Sequence, residues 1–243
     1  MKKYVLETPE LLGQSAAKQT ADLINAAIKA NGTARIVMST GASQFDTISN
    51  LRKAGIDWSK VEMFHLDEYI GIPATHPASF IKYLKERFIG DEIKLKQAHF
   101  IDGMADPAQV IANVTKEIRK APIDVALIGI GENSHIAFND PPADFDTKEA
   151  FIIVDLDEAC KKQQVREGWF ATLDDVPKKA ITMSVYEIMQ AKVIISAVPY
   201  SQKAKAVKDT VENDVTNTIP ATILKTHPDW SLYIDKDSAA LLS

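Results

Sequence analysis

Long hydrophobic runs, clustered positive charge and paired cysteines are all missing from this chain, and each absence removes a class of function. No apolar run approaches the roughly 20 residues of a membrane-spanning helix, so no membrane partner is expected. No basic run exceeds two residues and the formal net charge is -5. Nucleic-acid binding needs a clustered basic face, so no nucleic-acid partner is expected either. The single cysteine, Cys160, cannot form an internal disulfide, which fits a reducing compartment. It sits in the helical-looking stretch Glu158-Ala159-Cys160-Lys161-Lys162, where a bystander is expected rather than a nucleophile. The opening Met1-Lys2-Lys3-Tyr4-Val5-Leu6-Glu7 meets an acid and then Pro9 before a hydrophobic segment forms, unlike a signal peptide. A cytoplasmic protein is expected. His65, His76 and His135 show no close pair spacing such as H-x3-H, so no metal site is expected. No Walker loop or dinucleotide fingerprint is present, and no cofactor is expected.

What is present is an ordinary globular composition, with 46% apolar and 25% charged residues. The 243 residues can bury a sizeable core without disulfides or metals. No repeat, linker or composition break divides them, so one domain over residues 1–243 is expected. Thr8-Pro9-Glu10 supplies an N-cap, a proline at the first helical position and a first-turn acid. Asn31-Gly32 supplies the matching C-cap. Apolar, β-branched strands are predicted at 35–38, 61–65 and 125–128, then at 151–154, 180–183, 192–197 and 230–234. Helices are predicted over about 44–54 and 110–120, and around Phe80, Ile81, Leu84 and Phe88. The alternation points to an α/β fold with a mostly parallel sheet covered by helices on both faces.

In such sheets ligands bind beyond the carboxyl ends of the strands. Four apolar strands here end in polar clusters: Ser39-Thr40-Gly41-Ala42-Ser43, Asp67-Glu68-Tyr69, Glu132-Asn133-Ser134-His135, and Tyr200-Ser201-Gln202-Lys203. If the strands are parallel neighbours, the clusters share one crevice. Thr40, Gly41, Ala42 and Ser43 precede a helix and could cradle a phosphate on backbone amides; an ordinary N-cap by Ser43 is the other reading. Lys203 could supply the counter-charge or be a solvated surface lysine. Asp67 and Glu68 are adjacent, so on an extended segment they point opposite ways. One would face the crevice as a general base while the other bonds backbone groups. His76, before Pro77, reads as a loop-ordering group. The loop from Gly129 to Pro141 gathers Glu132, Asn133, His135, Asn139 and Asp140, a composition suited to a polar ligand, although a plain polar turn has the same composition.

These segments resemble the glucosamine-6-phosphate deaminase family. Phe64 to Pro73 with His76 to Phe80 resembles its FNMDEYVGLP…HPxSY block, and Gly129 to Pro141 its GIGxDGHIAFNEP block. Thr40-Gly41-Ala42-Ser43 falls at its TGGTP, while Val176 to Thr182 and Ser201 to Ala204 match VPKxALT and SQKA. The resemblance implies a Rossmann-like three-layer αβα fold and a metal-free aldose–ketose isomerisation coupled to deamination of an amino-sugar phosphate. It implies that Asp67 moves a proton from C2 to C1 of the opened sugar and that His135 assists ring opening. A neighbouring carboxylate, Asp140 or Glu132, would orient the imidazole. Thr40, Gly41, Ala42, Ser43 and Lys203 would hold the phosphate, with Glu68 among the binding residues and Arg166 in the lid region.

Several positions depart from the pattern. Asn133 replaces the family's aspartate, and Asp140 its longer glutamate. An amide can orient His135 but cannot offset a positive charge on it. Ser134 and Ala42 replace glycines. The basic segment after the proline is replaced by Asp144-Phe145-Asp146-Thr147-Lys148, so no activator site of that kind is expected. The chain stops early, and a homo-oligomer is left open without a hexamer being claimed. A galactosamine-6-phosphate deaminase is one competing reading. A 6-phosphogluconolactonase is another, disfavoured by Tyr69 and by the Phe-Asn-Asp-Pro continuation. A non-catalytic sugar-phosphate sensor is a third.

Overall fold

Seven parallel strands form the central sheet of the computed structural model, which describes every residue except Glu167. The side chains of Ala159, Cys160 and Gln163 also lie outside the described set, and with them the bystander role expected for Cys160. The strands are β1 (Lys2–Leu6), β2 (Ala34–Met38), β3 (Val61–His65), β4 (Asp67–Tyr69), β5 (Gln97–His99), β6 (Val125–Leu127), β7 (Phe151–Asp155), β8 (Lys179–Met183), β9 (Ile194–Val198) and β10 (Trp230–Asp235). The central order is β1-β10-β9-β6-β2-β3-β5. The helices are α1 (Pro9–Asn31), α2 (Phe45–Arg52), α3 (Phe80–Tyr83), α4 (Pro107–Ile118), α5 (Glu158–Arg166), α6 (Val185–Ile188) and α7 (Ala204–Glu212). A π-helical stretch, Leu84–Ile89, continues α3.

The inner strands are mostly apolar because both of their faces are covered. Ile36 and Met38 of β2, Met63 of β3, Val125 of β6 and Ile195 of β9 enter the core shared with α1, α2 and the π-helical stretch. Their neighbours Val37, Phe64, Ala126 and Ile194 enter the opposite core, shared with α4 and α7. The arrangement is the three-layer α/β fold expected, with helices on both faces of a mostly parallel sheet.

The α1 helix is delimited as its sequence predicts. Thr8 Oγ1 accepts from Leu11 N at 3.3 Å, and Gly32 closes the helix at φ 78° with its N–H on Ile28 O. Gly13 lets α1 approach α2: a Cβ there would lie 2.5 Å from Asp46 Cβ and 2.8 Å from Thr47 N. Alanine would gain about 1 kcal/mol of helix propensity but overpacking typically costs about 1–3 kcal/mol. A net loss of stability of up to about 2 kcal/mol is expected for Gly13→Ala, read by urea unfolding; a stabilised variant would contradict this packing.

Two predicted strands, 151–154 and 180–183, lie outside the parallel sheet. As β7 and β8 they pair antiparallel with each other, and β8 pairs antiparallel with β4. The physical reason is visible in β7, an edge strand of this small sheet, where burial falls away along the strand from buried Phe151 to Ile153, which is 45% exposed. Antiparallel sheets tolerate such partial cover. The edge strands β1 and β5 and the three-residue β4 add to the predicted set.

The chain leaves β2 for β3 and β5 on one side, then returns to β6 on the other side and continues through β9 and β10. This reversal opens a crevice between the carboxyl ends of β2 and β6.

Candidate active site

A cavity of about 510 Å³ occupies that crevice. Its walls come from Ser39 to Ser43 after β2, Leu66 and Asp67 after β3, Gly129 to Glu132 with His135 after β6, and Tyr200, Gln202 and Lys203 after β9. All four predicted clusters therefore contribute to one space, because β3, β2, β6 and β9 end close together in the sheet. Gln164, Arg166 and Trp169, in and after α5, line the same cavity.

Asp67 is 7% exposed and its carboxylate accepts no hydrogen bond from any described residue. Burial first, and then the adjacent Glu68 charge, raise its pKa well above the ordinary carboxylate value. A desolvated carboxylate facing a cavity is a strengthened base that can take its proton from a ligand.

Glu68 does not line the cavity, which corrects its expected place among the ligand-binding residues. Its Oε1 accepts from Tyr69 N at 3.0 Å and Phe80 N at 3.3 Å. Its Oε2 accepts from Ser79 Oγ at 2.7 Å and Ile81 N at 3.0 Å. Alternation along β4 turns Glu68 away from Asp67, and the unpaired amides at the start of α3 capture it.

His135 projects from a tight turn in which Ser134 has φ 66° and Ala137 φ 51°. Gly131 N–H donates to His135 O at 2.9 Å, and Ser134 N–H to Gly131 O at 3.0 Å. The imidazole lies over Gly131: a Cβ there would fall 2.2 Å from Cε1 and 2.3 Å from Nε2. Nδ1 stands 3.1 Å from Asp140 Oδ1, in contact but short of an aligned hydrogen bond. Asn133 Nδ2 donates to the same Oδ1 at 3.0 Å, and Asn133 Oδ1 accepts from His135 N at 3.3 Å. Asn133 thus braces the partner carboxylate and the turn rather than the ring. Asp140 and Asn133 stand behind the cavity wall, outside its lining. Burial would push the Asp140 carboxyl up, but His135 and then Asn133 outweigh it and hold the pKa below the ordinary value. An ionised Asp140 can offset charge on the imidazole. Glu132 is taken by Arg166, whose Nη2 lies 2.5 Å from Oε2, and both residues line the cavity.

At the other end of the cavity, Gly41 has φ 99° and leads into a short 3-10 turn, Ala42–Gln44, and then α2. Thr40, Gly41, Ala42 and Ser43 all line the cavity, with buried Lys203 in the same wall system. Two residues that the sequence did not mark hold this turn. Tyr83 OH donates to Gly41 O at 2.8 Å, and Gln44 Nε2 donates to Ala197 O at 3.1 Å, tying the β2 turn to β9. Phe80 and Phe138 form an apolar wall beside Tyr69, Phe80 stacked on its ring and Phe138 tilted against it. Only their proximity to the polar clusters could have signalled them.

Two further histidines that the sequence raised have structural duties. His76 Nδ1 accepts from Ala78 N at 3.1 Å, as expected of a loop-ordering group. His65 Nε2 accepts from Ile101 N at 2.9 Å, and burial pushes its pKa down to about 3. It is neutral and spent on the backbone.

Fold and cavity together define a three-layer α/β protein with proton-transfer groups and an anion-compatible turn at the carboxyl ends of its parallel strands. The chain belongs to the family of glucosamine-6-phosphate isomerases and 6-phosphogluconolactonase, whose family model matches residues 7–232. It is 34% identical over 236 residues to the glucosamine-6-phosphate deaminase of Thermoanaerobacter pseudethanolicus, covering 94% of this chain and 92% of that one. The Bacillus cereus glucosamine-6-phosphate deaminase is 32% identical over 244 residues, covering 100% of this chain and 90% of its relative. The solved structure of a monomeric glucosamine-6-phosphate deaminase matches with a TM-score of 0.91 at 30% identity, covering 99% of this chain and 100% of the other. A 6-phosphogluconolactonase from Trypanosoma brucei shares the fold, with a TM-score of 0.81 at 19% identity over 100% of this chain and 98% of the other. No helix among the described residues is long and apolar enough to cross a membrane.

Proposed function

We propose that the protein is a glucosamine-6-phosphate deaminase, converting glucosamine 6-phosphate and water to fructose 6-phosphate and ammonia. The observation that carries this reading is the desolvated Asp67 carboxylate, without a donor among the described residues, in one cavity with His135. Residues 1–243 act as one sugar-phosphate-binding unit. The reading places the enzyme in the cytoplasm, in amino-sugar breakdown such as that of N-acetylglucosamine.

The chemistry follows from the placement of groups. His135, backed by Asp140, moves the proton that opens the pyranose ring and exposes the C1 aldehyde. Asp67 removes the C2 proton, which the carbonyl and the ammonium group acidify, and returns it to C1, while the C1 oxygen gains the proton that the ammonium nitrogen gives up. The resulting ketimine at C2 adds water and expels ammonia, leaving the ketose phosphate. No redox partner enters the balance. Asn133 keeps Asp140 aimed at the ring. Thr40, Gly41, Ala42, Ser43 and Lys203 hold the phosphate, and Arg166 closes over the mouth.

Incubation with glucosamine 6-phosphate, galactosamine 6-phosphate and 6-phosphogluconolactone, following ammonia and acid release separately, tests the reading. Ammonia from glucosamine 6-phosphate supports it. Acid from the lactone without ammonia from either amino sugar overturns it, and ammonia from galactosamine 6-phosphate alone reassigns the substrate. Tight sugar-phosphate binding without turnover would make the protein a sensor.

Lys203→Ala should raise KM for the sugar phosphate while changing kcat little, since a phosphate contact is made equally in ground and transition states. Losing a charged hydrogen bond of about 1.5–3 kcal/mol corresponds to roughly 10–100-fold. Steady-state kinetics with an unchanged KM would remove Lys203 from the phosphate site.

A further inference from the structure

Tyr200 carries a backbone conformation suited to glycine. Its φ of 81° and ψ of 149° lie where residues with a Cβ are rarely found, and such outliers persist only where their surroundings hold them. The turn after β2 uses the same conformation at Gly41, with φ 99° and ψ 166°. Both residues line the cavity, and both lead through a three-residue 3-10 turn into a helix. After β2 a glycine adopts this shape at little cost. After β9 it needs an external hold.

The hold is visible at the end of β10. Asp235 is 1% exposed, and its Oδ1 and Oδ2 lie 3.2 and 3.1 Å from Tyr200 N. Its Oδ1 also accepts from Ser238 N at 2.7 Å, and its own N–H donates to Ser238 Oγ at 3.1 Å. The carboxylate is therefore fixed from its own side of the sheet and grips the neighbouring loop by one amide. We infer that Asp235 is a positioning residue for the anion end of the cavity: by holding Tyr200 in its strained conformation it aims the Ser201–Lys203 turn inward. Asp235 itself does not line the cavity. The inference rests on the proposed reading of Lys203 as a phosphate-holding group.

The test combines a KM-against-kcat split with the affinity for inorganic phosphate, measured by calorimetry on variants whose folding is checked by circular dichroism. Asp235→Ala should raise KM and the phosphate Kd by about tenfold while kcat changes less than about twofold. Ser238→Ala, which leaves the Tyr200 contact in place, should change neither. In a Tyr200→Gly background, Asp235→Ala should shift the phosphate Kd by less than about twofold, because glycine needs no hold. Should Asp235→Ala not fold, Asp235→Asn carries the same comparison with a smaller expected shift. An unchanged phosphate Kd on loss of the carboxylate overturns the inference. So does a shift that persists in the Tyr200→Gly background, an equal shift in Ser238→Ala, or no phosphate binding by the unmodified protein. Phosphate binding that follows this pattern without turnover of glucosamine 6-phosphate would overturn the deaminase reading and leave this inference standing.

Discussion

Asp67→Asn should lower kcat by about 10²–10⁴-fold, the usual contribution of a general base, and at the same time raise the unfolding temperature at neutral pH. Both effects have one cause. The asparagine keeps shape and size but cannot take the C2 proton. It also removes a buried charge that no donor among the described residues compensates. A carboxyl whose pKa is raised by folding binds its proton more tightly when folded than when unfolded. Folding stability therefore falls as pH climbs from the unfolded value, near 4, through the raised folded value of Asp67. The variant escapes that loss, so its thermal advantage should grow with pH across that window and vanish in acid. In the wild type, activity needs the ionised form, so the acid limb of kcat/KM should lie above the ordinary aspartate range. A variant that is destabilised yet nearly fully active would show that Asp67 is a structural residue.

Gly131→Ala should be the most damaging small substitution in the β6 loop. The new Cβ would sit 2.2–2.5 Å from Cε1, Nε2 and Cδ2 of His135. The loop cannot swing aside easily, because Gly131 and His135 are joined by the backbone bond at 2.9 Å. The imidazole must rotate instead, away from Asp140 and into the cavity. A displacement of this size near reacting atoms costs on the order of 10²-fold in rate. Combined with His135→Ala, the glycine substitution should add little further loss, since both act through one ring. A Gly131→Ala enzyme with normal kcat would mean that the ring position over Gly131 is not the working one.

The parallel core and the crevice were legible in the sequence because their signals are local. Strands buried on both faces read as continuous apolar runs, and each was followed directly by its polar cluster. The α1 helix carried both of its caps in plain view. The small antiparallel sheet was not legible, since Asp67-Glu68-Tyr69 is three residues long and only one of them is aliphatic or aromatic. Alternation showed that Asp67 and Glu68 must part company but not which one meets the cavity. That was decided by the Ser79 hydroxyl and the amides of α3, which lie 11 to 13 residues away. The brace from Asn133 to Asp140 and the tethers from Tyr83 and Gln44 are tertiary contacts, and no local pattern announces them. The same holds for the contact between Asp235 and Tyr200.

The account's central claim is that this cavity moves a proton off C2 of an amino-sugar phosphate and releases its nitrogen. Turnover of glucosamine 6-phosphate deuterated at C2 tests it most directly. The account predicts a slowed kcat relative to the protiated substrate, ammonia and fructose 6-phosphate in equal amounts, and deuterium at C1 of the product or in water. A protein that leaves the label at C2 and releases no ammonia would contradict it.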